Sequence, residues 1–160
     1  MRWSEIPEFP DYEVNEEGVV YNLYRGQPIK QQLNKSGVAY VCLYRDRVLN
    51  TRAIAPIVAS LFLEPPISKR FNTPIHLNGD RTDNRASNLM WRPRWFAVKY
   101  HQQFTRPHSP YRMIIHLSET GETFNHPMEA VVKYGLLERS IIVDVVNQDG
   151  VFPYNFHFWA

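Results

Sequence analysis

The stretch from Thr73 to His101, T-P-I-H-L-N-G-D-R-T-D-N-R-A-S-N-L-M-W-R-P-R-W-F-A-V-K-Y-H, constrains this chain more than any other. Residues 73–77 are a short β-branched and apolar run, Asn78-Gly79 is the strongest short turn signal, and apolar character resumes at residues 89–91. That order predicts a hairpin with His76 on its first limb. A polar segment, residues 82–88, lies inside the return limb, and a helical pattern through Trp95, Val98 and Lys99 follows. By residue type alone, a histidine in an apolar strand before Asn-Gly is either an ordinary half-buried hairpin residue or a proton acceptor near working pH.

The string H-L-N-G-D-R-T-D-N-R-A-S-N-L-M-W, with His76 at its head and Asn88 twelve positions on, resembles the HNH (ββα-metal) nuclease motif in the variety carried by homing endonucleases of bacteriophage introns. The resemblance implies catalytic roles for His76, as the general base that draws a proton from water, and for Asn88, as the side chain that orients it. It also implies one divalent cation, Mg²⁺ or Mn²⁺, held by hard oxygen ligands that stabilise the leaving alkoxide. Many such nucleases take those ligands from an Asp or Asn just before the His and from an Asn a few residues after the Trp. Those positions hold Ile75 and Ala97, neither of which ligates a cation. Asn78, Asp80, Asp83 and His101 are the substitutes nearby in sequence, and Asp80 and His101 are the candidate metal ligands.

Two further resemblances flank this stretch. Residues 3–23, through Trp3, Ile6, Phe9, Tyr12, Val14, Gly18, Val19 and Tyr21, resemble the small module that precedes the motif in many phage homing endonucleases. By spacing this is an extended arm, a turn at residues 16–18 and a strand, with the aromatics in the core. Strands are expected at residues 28–31 and 37–44, a turn at Arg45-Asp46-Arg47 and a return at residues 48–49. Thr51 is expected to cap a helix through Ile54, Ile57, Val58 and Leu61, with Pro56 tolerated in its first turn. An aromatic and basic helix spans residues 92–104, a linker residues 106–110, and a hairpin follows from residues 111–117 to 121–124. Pro127 opens a helix through Val132 that Gly135 ends, and residues 138–147 form a second. The pattern F-x-x-x-x-E-A-V-x-x-Y-G-L, with the aromatic strand F-H-F-W, resembles the helix-turn-helix repeat found after such nucleases. Residues 138–147 carry one arginine against two carboxylates, a poor match to a DNA groove, and suit a fold-supporting or protein-contacting role instead.

The expected fold is α+β: an N-terminal nuclease-associated β module (1–50), an HNH-like ββα region (51–105) and a C-terminal hairpin plus helix-turn-helix module (106–160). The net charge is only +2, but residues 1–20 hold one basic and six acidic groups, residues 21–70 eight and two, residues 71–106 six and two, and residues 107–160 three and six. A basic middle between acidic ends suits a polyanion. Arg25, Lys30, Lys35, Arg45, Arg47, Arg52, Arg81, Arg85, Arg92, Arg94 and Lys99 are the expected nucleic-acid contacts. The expected partner is DNA, structured RNA or a host ribonucleoprotein such as a ribosome, bound by a monomer with no membrane involved. A single cysteine, Cys42, excludes an internal disulfide framework. No signal peptide or spanning segment is read, so a soluble protein of the host cytoplasm is expected. Two functions stay open: a nuclease-derived binding protein with a weakened or lost metal site, or an active site-specific nicking endonuclease.

Overall fold

The computed structural model describes residues 1–106 and 113–160, and these divide into two compact units, residues 1–76 with 80–94 and residues 77–79 with 95–160. The division passes through the central stretch. Its hairpin belongs to the first unit and its helix to the second.

In the first unit, β1 (Trp3–Ile6), β2 (Phe9–Asn15), β3 (Val20–Asn22) and β4 (Gln27–Pro28) form an antiparallel sheet in chain order. Alternation in β2 buries Tyr12 and Val14 on one face, and Phe9 at its start is buried as well. A second sheet is built from β5 (Gln32–Leu33), β6 (Ala39–Arg45) and β7 (Val48–Ala53). Here Ala39, Val41 and Leu43 point inward, and the Tyr12 hydroxyl accepts from the Tyr44 amide at 3.0 Å, tying the two sheets together.

Helix α1 (Ile54–Phe62) follows β7 without a break, so Thr51 lies inside the strand rather than at a cap. The N-cap is Ala53, which offers no side-chain cap, and Pro56 sits within the first turn as its missing N–H allows. β8 (Thr73–His76) pairs antiparallel with β9 (Leu89–Arg92), from Thr73↔Arg92 to His76↔Leu89. Asn78-Gly79 is therefore a turn at the start of a long loop, not a two-residue hairpin connection. A 3-10 turn, Ala86–Asn88, ends that loop.

In the second unit, α2 (Arg94–Gln103) buries Phe96, Ala97 and Tyr100, and the Tyr100 hydroxyl lies 2.7 Å from the Leu77 carbonyl. Gly79 is glycine for two reasons: its φ is +77°, and a Cβ there would fall 2.3 Å from the Phe104 ring. β10 (Ile115–Leu117), β11 (Thr123–Phe124), α3 (Pro127–Tyr134), α4 (Glu138–Asn147) and β12 (Phe158–Trp159) complete the chain, β10 lying centrally between β11 and β12. The left-handed Gly135 caps α3 and turns the chain into α4, as its position in the sequence predicts. Buried Asp144 joins α4 to the C-terminal strand by accepting from the amides of Gly150 (2.6 Å) and Phe158 (2.7 Å). Residues 107–112, which carry most of the expected linker and the start of the expected hairpin, lie outside the described residues. Among the described residues no helix is long and apolar enough to cross a membrane.

One charged cluster of this second unit responds to pH in a defined direction. The Glu122 carboxylate bonds the Lys133 ammonium and the Tyr134 hydroxyl, and chiefly the Lys133 bond holds its pKa down at about 2. A carboxyl depressed in the folded state contributes stability above its unfolded pKa, and loses it as pH falls toward the folded value. Glu122→Gln is therefore expected to lower the melting temperature at pH 7, with the gap from wild type closing between about pH 4.5 and pH 2. Thermal melts across that range check it.

Candidate functional site

The site is built in the first unit, where β8 and β9 present their ends to the loop between them. His76, the last residue of β8, is only 5% exposed. Its Nε2–H donates to Asn84 Oδ1 at 2.7 Å. A carbonyl oxygen only accepts, so this bond selects the tautomer protonated at Nε2 and puts the basic lone pair on Nδ1. Asn84 is 3% exposed, and its Nδ2 is buried without a partner. An orphaned donor of that kind costs about 1–3 kcal/mol. The position is thus occupied by a residue whose oxygen serves the imidazole at a cost to stability.

The loop that carries Asn84 is braced from within. Asn88 Nδ2 donates to the Asp83 carbonyl at 2.8 Å, and Arg85 forms two bonds of 2.8 Å to the Asp83 carboxylate. Asp80 Oδ1 accepts from the amide (2.9 Å) and the hydroxyl (2.7 Å) of Thr82. The Thr82 hydroxyl bond, more than any other contact, holds the Asp80 carboxyl below its ordinary range. For His76, burial lowers the pKa below 6.5, the Asn84 bond opposes that, Arg81 adds to the lowering, and Asp80 and Asp83 counter it.

His76 and Asn88 thus both lie buried at this end of the hairpin, and the side chain seen on Nε2 is that of Asn84. The Asp83-Asn84-Arg85 triplet lies within the motif string, and the structure adds Asn84 to His76 and Asn88 as a buried side chain of this site.

The cation donors are a different matter. Ile75 is fully buried on β8, and Ala97 is buried on α2 in the second unit, as hydrocarbon at both expected ligand positions. His101 also lies on α2, and Asp80 already serves Thr82. Among the described residues, no three His, Cys, Asp or Glu side chains are grouped to hold a metal ion.

The expected nucleic-acid contacts fall into four groups. In the first unit Arg25, Lys30, Lys35, Arg45, Arg47, Arg52 and Arg85 are exposed, Arg52 lying 5.3 Å over the Phe9 ring. Arg81 is half-buried and donates to the Ser36 carbonyl at 2.9 Å. Arg94 and Lys99 are exposed on α2, Lys99 resting 5.5 Å from the Trp95 ring. Arg92 departs from the expectation of a surface contact. It is 3% exposed on β9 and donates to the Trp91 carbonyl, because the strand turns it inward. Arg47 stands out among the exposed cations. It and Asp46 are the two central residues of the β6–β7 turn, with φ of +64° and +52°, where a type I′ turn favours glycine at the second position. An arginine is held there at a steric cost that glycine would not meet.

Comparison with known proteins agrees with this architecture. Residues 1–44 match the NUMOD4 motif. Over 91 residues, 56% of the chain, it is 30% identical to an uncharacterised HNH endonuclease, L245, of Acanthamoeba polyphaga mimivirus, and over 90 residues 30% identical to a second from the same virus, L247. The matched segment spans 26% and 22% of these relatives, so the chain covers only about a quarter of their length. A solved structure of the HNH homing endonuclease I-HmuI, described for its DNA binding and cleavage, superposes over 99% of this chain and 97% of its own, with a TM-score of 0.58 at 20% identity. The chain is thus similar in sequence to HNH endonucleases over about half its length, and it shares a mixed α+β fold with the solved homing endonuclease.

The electrostatics of His76 yield a measurable consequence. Its imidazole is expected to titrate below pH 6.5, and Asn84→Ala to move the midpoint lower still, because the Asn84 bond favours the charged ring. With its pKa depressed by folding, His76 withdraws stability as pH falls through 6.5, since the unfolded chain takes up its proton first. An NMR titration of the His76 ring in both forms checks the direction.

Proposed function

We propose that this chain is a nucleic-acid-binding protein of the HNH homing-endonuclease type that grips DNA or structured RNA through its basic middle, and in which metal-dependent cleavage is weakened or lost. The observation that carries this reading is the contrast between adjacent residues of β8. His76 keeps an oriented imidazole, while Ile75 beside it supplies hydrocarbon where related nucleases supply an oxygen. Losing leaving-group stabilisation by a cation removes several kcal/mol, about 10³-fold or more in rate, whereas an ordered base alone leaves the alkoxide charge uncompensated.

DNA is the first partner to test, since the structurally similar enzyme is described as binding and cleaving it. A structured RNA or a ribonucleoprotein is the alternative that the charge pattern supports equally. One observation favours a second reading, an active nicking endonuclease: the His76 imidazole is braced on its Nε2 side in the tautomer that a general base uses.

Two experiments decide. Arg47→Gly relieves the left-handed backbone while removing a cation, so it is expected to raise the melting temperature and weaken binding. The slope of log K against log salt should flatten by about one phosphate contact. A stabilised variant with unchanged affinity and slope would mean that this hairpin tip is only solvated. For cleavage, little or no nicking of plasmid or structured RNA is expected from the wild type in Mg²⁺ or Mn²⁺. Ile75→Asp with Ala97→Asn is expected to gain activity that His76→Ala abolishes. Robust nicking by the unmodified protein, lost with EDTA and with His76→Ala, would establish the enzyme instead.

A further inference from the structure

The turn between β2 and β3 is rigid to a degree that its exposed surroundings do not require. Asn15 is buried, and its Oδ1 accepts from the amides of Glu17 (3.0 Å) and Val19 (2.9 Å), while its carbonyl accepts from the Gly18 amide (3.0 Å). The side chain thus locks the turn from inside, as an asparagine two to four residues ahead of its partners does. Gly18 takes a φ of +82°.

This turn rests against the loop that holds the His76 partner. A Cβ at Gly18 would lie 3.0 Å from Asn84 Cβ, 3.0 Å from the Asn84 carbonyl oxygen and 3.2 Å from its carbonyl carbon. Two residues along, the Ala86 amide donates to the Glu16 carbonyl at 2.7 Å. One backbone therefore meets another at the residue bonded to Nε2, with only hydrogen at Gly18 to permit the approach. Both strands of contact lie within the region matched as NUMOD4 on one side and the motif loop on the other.

The geometry points to a positioning role for the residue 15–19 turn: through Gly18 and Glu16 it sets the loop at residues 84–86, so that Asn84 meets the His76 imidazole. The N-terminal module is on this account a structural part of the site, whatever it contributes to gripping nucleic acid. The inference rests on reading His76 as the working imidazole, and it stands whether or not cleavage survives.

The test reads the imidazole directly. In the ¹⁵N-labelled full chain, the His76 Nε2–H proton should be visible and slow to exchange, and Asn84→Ala should abolish it. Gly18→Ala is expected to accelerate its exchange by about tenfold or more, since the loop must retreat from the new methyl group. Gly121→Ala is the matched control, with an equally left-handed φ of +74° but nothing within 4 Å of the added carbon, and should leave the resonance unchanged. Ala86→Pro is the second probe: it removes the amide that reaches Glu16 at the first position of a 3-10 turn, where the preceding Arg85 (φ −61°, ψ 139°) already suits a proline. It is expected to accelerate exchange in the same direction, and it decides the matter if Gly18→Ala does not fold. Unchanged exchange in folded Ala86→Pro, or equal loss of the signal in Gly121→Ala, overturns the assignment. Affinity for duplex DNA, measured alongside, should stay within about twofold of wild type in Gly18→Ala because no cation is removed. A wild type that binds no nucleic acid would sink the functional reading and leave the exchange result standing.

Discussion

The first unit depends on how closely α1 can be approached. Ile54, Ala55, Val58 and Ala59 form one buried face of a nine-residue helix, and the strands β6, β8 and β9 all lie against it. Alanine at two of the four positions lets strand backbones come near, while Ile54 and Val58 fill the remaining volume. Burying each such branched side chain is worth about 1.5–3 kcal/mol. Because β8 is clamped there, its final residue is held at a fixed height above the core, and the position of His76 follows from helix packing before any polar contact is made.

A polar group placed so deep has to be bonded, and the solution here is local. His76, Asn84, Asn88, Asn15 and Arg92 are buried polar side chains of this unit. Asn84 pairs with His76 on β8, Asn88 with the Asp83 carbonyl, Asn15 with amides of its own turn and Arg92 with the Trp91 carbonyl. The Asn84 Nδ2, which has no partner, is the exception. The unpaired donor costs stability, yet the oxygen of the same amide satisfies the buried His76 Nε2–H, so a hydrocarbon at position 84 would orphan that group in turn. Arg47 on the exposed β6–β7 turn carries a separate local cost, a left-handed backbone in a residue that holds a cation out toward solvent.

Much of this architecture could be read from residue order because the controlling signals were local. Alternation located β6, and i, i+3, i+4 spacing located α1. Proline at an N-terminus and glycine at a C-terminus bracketed α3, and the span of α4 followed from its apolar pattern. Likewise, the absence of an oxygen ligand at Ile75 and Ala97 is a statement of composition that folding cannot alter. Where the reading went astray, a longer-range force had taken over. Thr51 was drawn into β7 by its pairing with Cys42, although its hydroxyl suits a cap. The hairpin expected of residues 73–77 and 89–91 is present as β8 and β9, but the whole 77–88 loop joins its limbs rather than Asn78-Gly79 alone. Arg92 was folded inward by the register of β9.

The chain's residue types and spacing by themselves determined an α+β protein with a histidine-headed hairpin, a basic middle and no ready cation ligands. Only the tertiary structure decided that Asn84, which the motif string does not single out, meets the imidazole at Nε2. Gly18 and the Glu16 carbonyl, some seventy positions earlier, press on the loop at that same point. A close approach of two backbones depends on where the folded chain brings them, and that information is not held in either segment alone.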